Sequence, residues 1–509
     1  MNALLPKVQR PSGVGAKRHI AVVGAGIGGL SAAVDLAARG YRVTLVDKLD
    51  HVGGKMRRVA SGAALVDAGP TVLTLRDVFE DLFAHAGSNL QDHLTLRPLD
   101  VLARHAWPDG SRLDLFADIE QSRDAIAQWA SPQEADGFVR FVHHARAIWQ
   151  TVEQPFVRSQ RPTPLSILRD YGPRAVSLLG RIDSRRTLWQ ALGSFFGDAR
   201  LRQLFARYAT YSGCSPFSAP GTLALIAWVE AAGVWRVEGG IWQVATALRT
   251  LLERAGGDVV LGRGVREVLA SGGRVRGVRL DDDSELVADA VVYAGDVSAL
   301  GRGLLGEVAA KAADPTPPNA RSLSALVWCV QAETRGLELA HHTVFFSSDY
   351  PREFDEIFVR HQLPTEPTVY VCAQDRGDGV APPTGPERLL VLVNAPAVGD
   401  LDHAPTEADV QACEQRTWQH LRRLGLQVTP IAPAHRTCPR GFDALFPATG
   451  GALYGAANHR WNASLTRPSA RTRLRGLYVA GGSTHPGAGI PMAALSGRLA
   501  AAALATDMA

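Results

Sequence analysis

Val22-Val23-Gly24-Ala25-Gly26-Ile27-Gly28-Gly29-Leu30-Ser31-Ala32-Ala33 is the stretch on which the fold turns. The apolar run His19 to Val23 before it reads as a strand. The Ala/Leu-rich residues after it, to about Arg39, read as a helix that Gly40 ends. Tyr41 to Val46 then reads as a second strand, which completes a βαβ unit. Gly24 permits the tight turn, Gly26 lets backbone approach a pyrophosphate at the helix N-terminus, and Gly29 lets helix and strand pack closely. A lone GxGxxG is a weak signal, often only a turn. Here the strand before and the helix after supply the context it needs. Asp47 closes the second strand, where an acid binds a ribose hydroxyl. Gly24, Gly26, Ile27, Gly28, Gly29, Asp47 and Lys48 are the expected contacts of the adenosine half of a dinucleotide.

That motif alone leaves NAD and FAD open. Val52-Gly53-Gly54-Lys55 follows soon after, and Gly54 with Lys55 suits a second phosphate contact, although paired glycines also make plain loops. The far end of the chain weighs more. Gly476 to Ala480 reads as an apolar strand, which enters the loop Gly481-Gly482-Ser483-Thr484-His485-Pro486-Gly487-Ala488-Gly489 and then a helix from Ile490. A capped terminal helix does not require so many glycines. Free N–H groups at a helix start do stabilise negative charge on a reduced flavin ring. Gly481, Gly482, Gly489, Ile490 and Met492 are therefore expected around that ring, and the cofactor is expected to be FAD.

Length and composition frame these motifs. The 509 residues suffice for two or three domains, and 46% apolar with 20% charged residues is ordinary for a packed globular body. A net charge of +4 argues against a nucleic-acid partner. Five scattered cysteines form no CxxC pair, and the doublets His143-His144 and His341-His342 lack a third ligand at metal spacing. No metal is expected. The first 18 residues lack a secretory apolar core, and no apolar run is long enough to span a bilayer. These features favour a cytoplasmic protein.

The pattern is mostly helical from about residue 76 to 235, and strand signals return at Asp258 to Leu261, Val275 to Leu280 and Ala290 to Ala294. The expected fold class is α/β: a Rossmann-type FAD-binding domain built from the discontinuous segments 17–75, 236–300 and 437–509. An α+β substrate-binding and membrane-associating domain, 76–235 and 301–436, is inserted between them.

Over residues 18 to 505 the chain resembles the phytoene desaturase-type carotenoid desaturases, within the wider FAD-dependent amine oxidase-like fold. The likeness is carried by Asp67-Ala68-Gly69-Pro70-Thr71-Val72, by Gly239-Gly240 before Gly257-Asp258-Val259-Val260, by Val265, by Ala288 to Val292 and by Gly481 to Pro491. Phe446 to Gly455 and Pro491 to Gly497 resemble the 1-hydroxycarotenoid 3,4-desaturases, or methoxyneurosporene dehydrogenases, more than phytoene desaturases proper. The resemblance implies that Gly69, Pro70 and Thr71 lie against the cofactor and that Val265 meets its adenine end. It implies a pair of acid/base residues after about residue 160, to which Asp170 and Arg174 correspond across a one-residue gap; an exposed helical ion pair is the other reading. Leu49 departs from the basic residue of many relatives, and position 482 lacks the acid that amine oxidases carry.

The activity implied is removal of two hydrogens from adjacent carbons of an acyclic carotenoid, with oxygen or a quinone as electron acceptor because the chain has one dinucleotide fingerprint. Phytoene desaturase is the near alternative; an amine oxidase or a non-catalytic lipid escort of the same fold is more distant. Residues 161–207 carry nine arginines and three acids among bulky apolar residues. That mixture suits either an anionic leaflet or a solvated Arg face over ordinary core. A water-insoluble substrate favours peripheral association, through this segment, with the cytoplasmic or intracytoplasmic face of the inner membrane.

Overall fold

The computed structural model describes residues 17–163, 172, 180, 182–459 and 463–509. Strands β1 (His19–Val23), β2 (Arg42–Asp47), β3 (Asp258–Leu261), β4 (Ala290–Tyr293) and β5 (Leu477–Val479) form one parallel sheet in the order β5-β4-β1-β2-β3. Parallel strands covered on both faces need continuous apolar side chains. Ile20, Ala21 and Val22 of β1 and all of β4 meet that need and are buried. The strand order reverses at β1, between β2 and β4. The crevice beyond the carboxyl ends of these strands is where an open α/β sheet takes its ligand.

Helices α1 (Ile27–Ala38), α2 (Gln243–Arg254) and α3 (Ile490–Met508) pack on this sheet. α1 and α3 meet backbone to backbone. A Cβ on Gly497 would stand 2.2 Å from the Gly28 carbonyl oxygen, and one on Gly28 would stand 2.8 Å from the Gly481 Cα. The two distant glycine-rich segments are thereby locked against each other.

The second sheet has eight strands. Across it run Leu426–Pro430, Ser324–Gly336, Glu387–Ala395, Val369–Ala373, His342–Phe345, Val101–Ala106 and Arg112–Phe116, with His435–Thr437 beside Ser324–Gly336. Only the pairing of His342–Phe345 with Val101–Ala106 is parallel; the others are antiparallel. Ala64–Asp67 pairs with Arg58–Ser61 in a separate hairpin.

Two expectations need correction. The stretch 76–235 is not simply helical, because it supplies Val101–Ala106 and Arg112–Phe116 to the second sheet. Charged residues mask these strands in the sequence. Arg104 is satisfied by a forked pair with Asp114 across the strands and by the Glu338 carbonyl. The second correction concerns 161–207. Leu188, Leu192, Phe196, Leu201, Leu204 and Phe205 are all buried, in a core cluster where Phe205 packs on Phe138, Phe141 and Phe196. The described part of this segment therefore turns its bulky residues inward rather than toward a leaflet. Its remainder lies largely outside the described residues.

Candidate functional site

A cavity of about 970 Å³ opens at the switch point and runs between the two sheets. Gly24, Gly26, Ile27, Gly28, Asp47, Lys48, Gly54, Lys55, Gly69, Pro70, Thr71, Val265, Gly481, Gly482, Gly489, Ile490 and Met492 all line it. Gly29 does not. Its missing side chain serves packing, since a Cβ there would stand 1.9 Å from the Gly24 carbonyl oxygen. Asp170 and Arg174 lie outside the described residues.

The end of the cavity at the N-terminal glycine turn is organised by Asp47. Its carboxylate accepts from the Ala25 N–H at 2.6 Å and the Leu49 N–H at 2.8 Å, so it fixes the glycine turn as well as facing the cavity. Gly53 donates to the Ala25 carbonyl at 2.8 Å and brings the Gly53-Gly54 loop against that turn. α1 starts at Gly26 with no side-chain cap and no acid in its first turn. The N–H groups at such a helix end have no intrahelical acceptor and suit a phosphate. A Cβ on Gly26 would meet only the Gly54 Cα, at 4.0 Å, so this position is left open to the cavity.

The Asp67 motif has a structural logic of its own. Asp67 accepts from the Ile241 N–H at 2.7 Å, and burial raises its pKa against that bond. Gly240 permits the approach, because a Cβ there would stand 2.3 Å from the carboxylate. The motif thus ties the hairpin to the start of α2 and sets Ala68 to Val72 along the cavity wall.

At the other end, α3 starts at Gly489 without a side-chain cap. Lys55 reaches across the cavity wall, donating to the Leu453 carbonyl at 2.5 Å with Phe446 beneath it; burial lowers its pKa, partly offset by Asp296. Arg467 went unnoticed in the sequence. It is 3% exposed and donates to the carbonyls of Tyr454, Gly482 and Ala456 at 3.1, 3.0 and 3.0 Å. Arg263 and Asp296 also line the cavity without having been singled out. Beyond the glycine loops the wall is apolar, with Leu223, Ile226, Val229, Val344, Leu390 and Leu392.

The histidine doublets differ from expectation in one respect. Cys372 lies across the strands from His342, and one donor atom each of His341, His342 and Cys372 fall within 4.8 Å of one another. Cross-strand pairing, invisible to spacing along the chain, brings the third group in. His341 Nδ1 bonds the Arg376 carbonyl and His342 Nδ1 the Tyr370 hydroxyl, at 2.8 and 2.7 Å.

The open glycine cradle, the two uncapped helix starts and the size of the cavity fit FAD. Gly24 to Gly28 with Asp47 and Val265 would hold its adenosine and phosphate part, and Gly481 to Met492 its ring. Comparison with known proteins agrees. Residues 27–505 match the family described as flavin containing amine oxidoreductase. The hydroxyneurosporene desaturase of Rubrivivax gelatinosus is 52% identical over 96% of this chain and 93% of its own length. That of Cereibacter sphaeroides is 45% identical over 96% of this chain and 98% of its own length. Among solved structures, an oxidoreductase from Methanosarcina mazei superposes with a TM-score of 0.59 at 15% identity, over 94% of this chain and 98% of that one. The cofactor of this enzyme is FAD, and the chain belongs to the carotenoid desaturase family within the flavin-containing amine oxidoreductases.

Proposed function

We propose that this enzyme introduces the 3,4 double bond into an acyclic carotenoid whose end group carries a 1-hydroxy or 1-methoxy substituent. The observation that carries this reading is the 52% identity, along nearly the whole chain, to a hydroxyneurosporene desaturase. Bound FAD supplies the two-electron acceptor for the C–H bond that is broken. The apolar wall would exclude water and align the polyene, and Gly481 to Met492 would hold the ring end of the cofactor. Removing one hydrogen from each of carbons 3 and 4 releases two electrons, and the second hydrogen leaves as a proton. We assign that proton to Asp170, and to Arg174 the second role in the acid/base pair that the resemblance implies. Their segment is flanked by cavity-lining residues, Pro162 before it and Ile182 and Ser184 after it. Oxygen or a quinone completes the turnover as electron acceptor, so adding NADP to an anaerobic assay restores no activity.

The reading is tested by expressing the gene in cells that accumulate different acyclic carotenoids. Pigments lighter by two hydrogens are expected from 1-hydroxyneurosporene and none from phytoene. Conversion of phytoene alone would instead make the enzyme a phytoene desaturase.

The substrate's insolubility in water supports docking of the protein on the cytoplasmic face of the inner membrane. Among the described residues no helix is long and apolar enough to cross a membrane. In flotation assays the purified protein is expected to rise with anionic vesicles at low salt and to be released as salt screens the contact. Protein that stays at the bottom of the gradient at low salt would exclude electrostatic docking.

A further inference from the structure

Among the described residues, a charged group of side chains interrupts the apolar wall of the cavity. Arg207, Tyr211 and Glu230 line it, and Tyr208 backs them. Arg207 and Glu230 are 6% and 5% exposed. The hydroxyls of Tyr208 and Tyr211 donate to Glu230 Oε2 and Oε1, each at 2.6 Å, so both carboxylate oxygens are occupied. Arg207 Nη1 donates to the Tyr211 hydroxyl at 2.6 Å, while Nη2 stands 4.0 Å from the carboxylate. The guanidinium lies 5.3 and 5.2 Å from the Tyr208 and Tyr211 ring centres, and its Nε and Nη2 find no hydrogen-bond partner among the described residues. A buried ion pair that only held the fold together would use the guanidinium fork against the carboxylate. Here each carboxylate oxygen already accepts from a phenol, and the cation keeps two donors without a hydrogen-bond partner on a wall that also includes Leu223, Ile226 and Val229.

The group is also linked to the ring loop by a short chain of contacts. Two residues after Tyr211, Gly213 backs so closely on Tyr454 and Ser322 that a Cβ would stand 2.5 and 2.6 Å from their side chains. Tyr454 shares Arg467 with Gly482 of the ring loop. In the proposed reaction, carbon 1, which bears the oxygen, is separated from carbon 3 by a single carbon. A site that holds that oxygen must therefore adjoin the ring.

We infer that Arg207, positioned by Tyr211 and Glu230, is the subsite for the oxygen substituent of the substrate's end group. The inference rests on the function proposed above. A guanidinium donates equally to a hydroxyl and to an ether oxygen, so one site accepts both the 1-hydroxy and the 1-methoxy end. An all-hydrocarbon end leaves the buried donors unmatched, and selectivity follows from that penalty.

The test compares kcat/KM on 1-hydroxyneurosporene and on neurosporene, which lacks the oxygen, both presented in lipid vesicles to FAD-loaded enzyme. Wild type is expected to prefer the hydroxylated substrate by about 100-fold or more. Arg207→Met should lower kcat/KM for that substrate, raise it for neurosporene by removing the unmatched donors, and bring the ratio close to one. Tyr211→Phe, which removes a single hydroxyl, should lower the ratio by part of that factor and guards against a folding defect in the first variant. Full flavin absorbance in each variant, with the ratio unmoved in both, would overturn the subsite and leave the desaturase reading standing. A wild type inert toward both substrates would overturn that reading, and the subsite with it.

Discussion

Gly29→Ala is expected to yield little folded yellow protein, whereas Gly26→Ala is expected to yield a folded protein that has lost most of its affinity for FAD. The two glycines lie three residues apart in one motif but fail for different reasons. At Gly29 a Cβ would stand 1.9 Å from the Gly24 carbonyl oxygen and 2.9 Å from the Ala294 Cβ. Neither neighbour is the end of a flexible side chain, so α1 must lift from the sheet. Overpacking of that kind costs about 1–3 kcal/mol and occasionally more, and a backbone clash this close belongs at the upper end. Gly26 has φ −71° and ψ 173°, which any residue adopts, and its nearest neighbour to a Cβ is 4.0 Å away. The apoprotein should accept alanine there within about 0.5 kcal/mol. The added methyl instead occupies the space through which a phosphate approaches the start of α1. A rise in the FAD dissociation constant of about 100-fold is expected, equivalent to about 2.7 kcal/mol. Thermal melting of the apoproteins and titration of FAD fluorescence separate the two effects. A Gly26→Ala protein that binds FAD like wild type would remove the phosphate from this turn. A Gly29→Ala apoprotein that melts like wild type would show that the sheet and helix can part without loss.

That contrast also marks where the sequence can be read and where it cannot. The glycine turn, Asp47 and the loop Gly481 to Gly489 are local devices, in which each residue's role follows from neighbours a few positions away. The cavity accordingly gathers nearly all of them. Val101–Ala106 and Arg112–Phe116 are different. Their partners include Thr343 to Phe345, far along the chain, and Arg104 and His105 disguise their alternation. Arg207 and Arg467 look like any of the chain's many arginines until the fold buries them. Charge and spacing carry no mark of burial, so a basic segment such as 161–207 reads equally as membrane face and as core cover. The structure favours core cover over the described part, where Leu188, Leu192, Phe196, Leu201, Leu204 and Phe205 point inward.

Arg467→Met is expected to loosen the ring end of the site and to release FAD, with a larger effect than the loss of an exposed arginine. The guanidinium joins the 454–456 loop to Gly482 through three carbonyls, at 3.0 to 3.1 Å. Burial pulls its pKa down, with Cys214 and Asp296 acting in the opposite direction. Its bonds go to carbonyls, so the group orders backbone and adds positive charge beside the ring loop. Methionine fills a similar volume but donates nothing. Three partly buried carbonyls would then lose a donor, at about 1 kcal/mol each, so a destabilisation of about 2–3 kcal/mol is expected. Arg467→Lys should fall between, because one ammonium cannot span a fork that serves two loops. Arg335, whose side chain is 78% exposed on the second sheet, is the control; Arg335→Met should change stability by no more than about 0.5 kcal/mol. The measurements are the ratio of flavin to protein absorbance after gel filtration and the thermal midpoint with and without added FAD. If Arg467 holds the ring loop, added FAD raises the midpoint of the Met variant by less than it raises that of wild type. Equal shifts, with full flavin retained, would mean that Gly481 to Gly489 keeps its shape without the arginine and that α3 alone orders this end of the site.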